Sequence, residues 1–259
     1  MRSLPLQGGG SGCGSKYVRL SQPDNIRDTP MTDEQDPTKS SAGAPETKLT
    51  RTKRRWAQEG RFLTGRTARP EAERLPPGQH LVKDWPVLDL GIEPEVTREN
   101  WQLDFFGAVA RPLVWDWAAF QAQPQSNETT DIHCVTTWSR YDNAWEGVAT
   151  ADVLAAVEPN PDARFVVLHS YDGYTTNLPL ADFAAPDVIL AHRWQGAPLT
   201  AEHGGPVRLV VPHLYFWKSA KWLQRIEFIT ADRPSFWETR GYHNRGDPWA
   251  EQRYSDDDL

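Results

Sequence analysis

The stretch TTDIHCVTTWS, Thr129–Ser139, decides how this chain is read. Its β-branched residues favour extended backbone, so it predicts a strand running into a loop at Cys134. A cysteine at a strand end, in a polar Asp-Ile-His-Cys setting, can present its sulfur to something held in a cleft. The chain has 2 cysteines, and the other, Cys13, lies far away near the N-terminus. That pattern leaves no room for a disulfide framework or a Cys-x-x-Cys site. A lone buried thiol is most often an inert small hydrophobe, so its neighbours must decide what Cys134 does.

Working outward, short strand patterns dominate. WPVLDLG (Trp85–Gly91) alternates like a strand, and WQLDFFGAVARPLVW (Trp101–Trp115) reads as two strands around Gly107. A short helix follows through Ala118–Gln121, and ADVLAAVEP (Ala151–Pro159) is a second helix closed by proline. RFVVLHSYDGYTTNLPL (Arg164–Leu180) gives a buried strand, a turn at Asp172-Gly173 and another strand. Asp187–Leu199 carries a strand into a turn, and VRLVVP (Val207–Pro212) and KWLQRIEFI (Lys221–Ile229) add two more. The pattern predicts a mixed, strand-rich α+β domain over residues 75–259. Residues 1–74 are rich in Gly, Ser, Pro, Thr, Lys and Arg. Such a segment buries too little apolar surface to offset ordering, about 1–2 kcal/mol per residue for the backbone, and we expect a disordered tail.

Composition narrows the function classes. The net charge of −7 argues against nucleic acid as a partner. The basic patch KLTRTKRRWAQEGR (Lys48–Arg61) is confined to the expected tail and reads as solvated. There is no apolar run of about 18 residues for a membrane span and no apolar core of a secretory signal, so a cytoplasmic location is expected. Neither G-x-G-x-x-G nor a P-loop occurs, so a nucleotide cofactor is not indicated.

Three places concentrate unusual residues: His133-Cys134 with Thr136 and Trp138, EHGGPVRLVVP (Glu202–Pro212), and HLYFWKSAKW (His213–Trp222). Each alone has a bland reading as core, turn or amphipathic surface. Taken together, Arg208 is directed from a rigid strand, and its planar fork suits an oxyanion. The turn Ser219-Ala220-Lys221 places small residues and a cation where a phosphorylated ligand could approach the backbone. A soft thiolate beside a phosphate-binding perimeter implies a metal carried by a phosphorylated organic cofactor.

Residues 75–250 resemble the molybdopterin-binding domain of the sulfite-oxidase superfamily. HCVTTWSRYDNAWEGV (His133–Val148) looks like the family's cysteine loop, and GGPVRLVVPHLYFWKSAKW (Gly204–Trp222) like the segment that wraps the pterin phosphate. The resemblance implies a molybdenum–molybdopterin cofactor, with Cys134 as the single protein ligand of the metal and the other sulfurs supplied by the pterin dithiolene. By similarity to catalytic subunits of protein-methionine-sulfoxide reductases, Ser170, His203, Arg208, Ser219, Ala220 and Lys221 fall on cofactor contacts, and Gln79 on an early one. Those relatives have an acidic residue where this chain has Thr136, and they are exported.

The C-terminal dimerisation domain of animal and plant sulfite oxidases has no counterpart in the 30 residues after Ile229, so a monomer is expected. No haem is expected in this chain, and electrons would be exchanged with a separate partner. The implied activity is oxygen-atom transfer to or from a small sulfur or nitrogen oxide, or an oxyanion. His133 and Arg140 are candidate catalytic residues beside Cys134, and Trp138, Trp237, Tyr242 and His243 are candidates for the substrate funnel. The alternatives are a non-catalytic molybdopterin-binding protein and a cysteine hydrolase in which His133 or His203 activates Cys134. Adjacent residues of a strand point to opposite faces, which makes His133 a poor base.

Overall fold

Alternation of buried and exposed side chains builds the sheets. In β2 (Gln102–Gly107), Leu103 and Phe105 are fully buried while Gln102 and Asp104 face outward. The computed structural model describes residues 73–255. Among them, one sheet runs β3 (Leu113–Asp116), β2, β11 (Leu223–Ile229), β6 (Phe165–Ser170), β7 (Thr175–Pro179). The other runs β1 (His80–Leu81), β5 (Trp138–Ala149), β8 (Ile189–Trp194), β10 (Arg208–Val210), with β4 (Ser126–His133) on β5 and β9 (Ala197–Pro198) on β8. Pairing is mixed: β11 lies parallel to β2 and antiparallel to β6.

Among the described residues helices are few and short. In α1 (Trp117–Gln121) the Asp116 carboxylate caps the Ala119 amide at 2.8 Å. In α2 (Thr150–Val157) the end comes at Glu158, whose left-handed φ of 49° stops the helix just before Pro159. The third, α3 (Leu180–Phe183), is a single turn. The expected strand-rich α+β class is the class observed. No helix among the described residues is long and apolar enough to cross a membrane.

Strands β8 and β10 of the second sheet are buried on both faces. Along β8, Leu190 enters the main apolar cluster while Ile189 and Ala191 enter a second cluster with Trp85, Cys134 and Trp138. That explains the unbroken apolar run Val188–Ala191. Strands β5 and β8 approach so closely that a Cβ at Gly147 would lie 2.0 Å from the Leu190 carbonyl oxygen.

Two expectations need correction. Trp85–Gly91 is irregular, because Pro86 has no amide to donate and the Asp89 side chain accepts from the Gly91 amide instead. Trp85 is buried there, while Val87 and Leu88 are exposed. The loop after Cys134 is also short, and β5 runs from Trp138 through a stretch given no element in the sequence reading. The tail expected to be disordered lies outside the described residues up to residue 72. Glu73 and Arg74 belong to the folded part: the Glu73 carbonyl accepts from the Trp249 indole, and Arg74 pairs with Asp131.

Candidate active site

Cys134 sits where β4 ends. Alternation turns Ile132 and Cys134 one way, into the second cluster, and His133 the other. A tight turn then reverses the chain: the Thr137 amide donates to the Cys134 carbonyl at 3.0 Å, and the Cys134 amide donates to the Trp138 carbonyl at 2.8 Å. Thr137 takes a left-handed φ of 75°, which surrounding contacts must hold. The Gln79 amide donates to the Cys134 carbonyl at 3.1 Å, the His80 amide to the Thr137 carbonyl at 2.9 Å, and the Arg253 guanidinium to the Val135 carbonyl at 2.6 Å. The sulfur is therefore presented from a fixed turn, with the Thr136 hydroxyl 3.1 Å away. Burial pushes the Cys134 thiol up, against the Thr136 hydrogen bond and the Arg253 charge, so a cation at the sulfur is what would hold it as thiolate.

Strand β10 supplies the second pole. Val207, Leu209 and Val211 enter the main cluster, so Arg208 and Val210 face the side that carries Cys134. Arg208 is 2% exposed, and its guanidinium donates to the His203 and Ser219 carbonyls at 2.8 Å each. Among the described residues no carboxylate pairs with it, and burial alone lowers its pKa to about 9. A buried cation without a counter-ion is destabilising by several kcal/mol, on the order of the desolvation penalty of one ion. The position is therefore suited to an anion.

One cavity of about 320 Å³ is lined by both Cys134 and Arg208. Lys221 also lines it, donating to the Glu202 carbonyl at 2.7 Å and packing over the Trp222 ring; burial and the nearby Arg208 lower its pKa to about 8. A Cβ at Gly204, where φ is +96°, would lie 2.8 Å from the Lys221 Cβ, so glycine permits this approach. Ser170 lines the cavity with a buried hydroxyl that has no hydrogen-bond partner among the described residues. His203 stacks on Trp85 with ring centroids 4.0 Å apart, and its Nε2 lies 3.2 Å from the Trp85 carbonyl. Aromatic rings of Trp138, Trp217, Trp237 and Tyr242 complete the wall.

Of the residues expected at the site, Cys134, Ser170, His203, Arg208, Ser219 and Lys221 converge on this cavity. Ala220 sits behind it, buried in the main cluster, and its carbonyl accepts from the Leu209 amide. Gln79 holds the Cys134 carbonyl rather than lining the cavity. The two expected catalytic partners do not line it. His133 is turned away by strand alternation, with Nδ1 2.8 Å from the Ser139 hydroxyl and its ring against Trp249. Arg140 lies further along β5, where the Lys83 carbonyl, the Asn143 side chain and the Trp194 ring capture its guanidinium.

Of the aromatic tail, Trp237 and Tyr242 line the cavity, whereas His243 accepts backbone hydrogen bonds from Arg245 and Gly246. Trp85, Tyr174 and Trp222 line it without having been singled out; the signal available was the density of 12 tryptophans. Thr136 is the group hydrogen-bonded to the sulfur, so no histidine is placed as the base of a cysteine hydrolase.

The donor set fits a phosphorylated, metal-carrying pterin. Among the described residues Arg208 has no carboxylate partner and the Ser170 hydroxyl no hydrogen-bond partner, and Lys221 lines the same cavity. Among the described residues no three His, Cys, Asp or Glu side chains gather as a metal site, so a metal at Cys134 would draw its other ligands from the cofactor.

Comparison with known proteins agrees. Residues 90–237 match the oxidoreductase molybdopterin binding domain. The chain is 46% identical over 188 residues to the uncharacterized oxidoreductase YuiH of Bacillus subtilis (strain 168), covering 71% of this chain and 94% of that protein. It is 28% identical over 153 residues to the protein-methionine-sulfoxide reductase catalytic subunit MsrP of Ralstonia nicotianae, covering 53% of this chain and 46% of that one. It thus spans about half the length of that relative. The sulfane dehydrogenase SoxCD of Paracoccus pantotrophus shares the fold, with TM-score 0.50 and 22% identity over 54% of this chain and 40% of that chain. The chain belongs to the oxidoreductase molybdopterin-binding domain family, and is an enzyme whose cofactor is the molybdenum cofactor.

Proposed function

We propose that Cys134 is the protein ligand of molybdenum, and that this enzyme transfers an oxygen atom to or from a small sulfur or nitrogen oxide. The observation that carries this reading is the pairing, in one cavity, of a buried thiol with a buried arginine that has no counter-ion among the described residues. Bound there, the cofactor supplies two-electron oxygen-atom exchange. In the reducing direction the oxide, two electrons and two protons give the reduced compound and water; the oxidising direction is the reverse. The electrons are exchanged with a separate partner.

The chain's own residues hold and orient. Arg208 and Lys221 offer the charges for a phosphate, with Ser170, Ser219 and His203 as polar contacts around it. The turn fixed by Gln79, His80 and Arg253 sets the direction of the sulfur before any ligand arrives. Trp138, Trp237 and Tyr242 line the same cavity as the sulfur, and a substrate would pack against these rings.

The test is elemental analysis and turnover of protein from a molybdenum-sufficient host, beside Cys134→Ala. The expected result is near-stoichiometric molybdenum in the wild type, with dye-linked turnover of at least one member of a panel of sulfoxides, N-oxides, sulfite and nitrate. Turnover should be lost in the variant. Unchanged activity in Cys134→Ala would remove the ligand assignment.

A further inference from the structure

The segment that closes the cavity has little regular structure of its own. After β11, the described residues contain one short 3-10 turn, Glu238–Arg240, and a lone bridge between Tyr242 and Tyr254. Yet Trp237 and Tyr242 of this segment line the cavity beside Trp217.

What ties it down is a buried charge. The Lys218 side chain is 0% exposed and that of Glu238 1%, with Nζ 2.5 Å from Oε1. The same ammonium donates to the Asn244 carbonyl at 2.7 Å and to the Asn177 carbonyl at 2.9 Å. Glu238 Oε1 also accepts from the Trp217 indole at 3.1 Å and the Thr176 hydroxyl at 3.2 Å. The rings follow: Trp217 and Tyr242 meet edge-on at 5.1 Å, and Trp237 and Tyr242 lie 4.8 Å apart.

An apolar pair of similar volume would anchor a segment at least as well. What the ammonium adds is direction, three donors aimed at β7 and at two points of the closing segment. Among the described residues, Glu238 Oε2 is buried with no hydrogen-bond partner.

We propose that the buried Lys218–Glu238 pair is a positioning device that holds Trp217, Trp237 and Tyr242 as the substrate wall of the Cys134 cavity. The substrate part of this proposal rests on the function proposed above; the positioning part does not.

The experiment uses the full chain with Cys13→Ser, so that Cys134 is the remaining thiol. Glu238→Gln breaks the charge pair, and Thr176→Val removes one hydrogen bond to Glu238 from outside the cavity. In cofactor-free protein, Cys134 alkylation by iodoacetamide should accelerate about tenfold in Glu238→Gln and about threefold in Thr176→Val, the scale of losing a charged and a neutral hydrogen bond. In molybdenum-loaded protein, KM should rise about tenfold in Glu238→Gln with kcat per molybdenum within about twofold, the signature of lost binding rather than lost chemistry. Unchanged alkylation in both variants would overturn the positioning role. Faster alkylation with unchanged KM would overturn the substrate role. Should Glu238→Gln fail to fold, Thr176→Val carries both readouts. A wild type inactive on every oxide would count against the proposed function while leaving the alkylation result to stand.

Discussion

Arg208 and Cys134, far apart in sequence, project from one sheet into one cavity, and among the described residues no carboxylate pairs with the guanidinium. This relationship predicts how Arg208→Met will behave. Molybdenum content should fall more than about tenfold, the cost of losing a charged contact to phosphate. The cofactor-free protein should change stability by less than about 2 kcal/mol, because removing a buried cation offsets the lost bonds to the His203 and Ser219 carbonyls. Metal analysis and thermal melts of both forms check this. An unchanged molybdenum content would remove Arg208 from the cofactor site.

Lys221 gives that site a pH dependence. Its pKa is lowered from 10.5 to about 8 by burial and by Arg208. The sign follows: between those values the unfolded chain holds the proton and the folded chain does not, so the cofactor-free fold gains stability as pH rises through this window. Anion binding goes the opposite way, because the cation is lost above about pH 8. Thermal stabilisation by inorganic phosphate should therefore shrink as pH rises through 8, and Lys221→Met should lose most of that dependence. Equal pH profiles for the two proteins would contradict this.

Asp182, on α3, predicts acid behaviour. Burial alone would raise its carboxyl, but hydrogen bonds from His213 and Arg245, at 3.2 and 3.1 Å, bring it from 3.8 down to about 2. A depressed acid contributes stability that is present above pH 3.8 and is lost as pH falls towards 2. Asp182→Asn should cost about 2 kcal/mol at neutral pH and flatten the acid limb of a stability profile. An unaltered acid limb would show that the two partners contribute nothing net.

The close contact of β5 and β8 gives a test of the fold. Gly147→Ala would press a methyl carbon onto the Leu190 carbonyl oxygen, which backbone on both sides prevents from moving away. We expect about 3 kcal/mol of destabilisation, the upper range for overpacking, read from denaturant unfolding.

How much was legible beforehand depended on how local each signal is. The strands around Phe105, Val166 and Ile226 carry their burial in sequence alternation or apolar runs, and they were placed correctly. Arg208 could be assigned to a strand because its apolar flanks alternate across β10. Trp85–Gly91 carries the same alternation without a partner strand, and Trp85 is buried by tertiary stacking on His203 that no local pattern records. The polar, charged face of β5 hid a strand of 12 residues, kinked at Asp142, whose φ is 54°. The turn Asp172-Gly173 was visible and Ser170 was expected at the cofactor, but not that the turn would bring Tyr174 to the cavity. His133 was drawn towards the site by adjacency to Cys134, the very adjacency that turns it to the other face.

The most direct test of the central claim is X-ray absorption at the molybdenum edge, comparing loaded wild type with Cys134→Ala loaded under the same conditions. If Cys134 is the protein ligand, the wild-type metal carries one more sulfur scatterer than the variant. An identical sulfur shell in both proteins would contradict the account and return Cys134 to the role of a buried thiol.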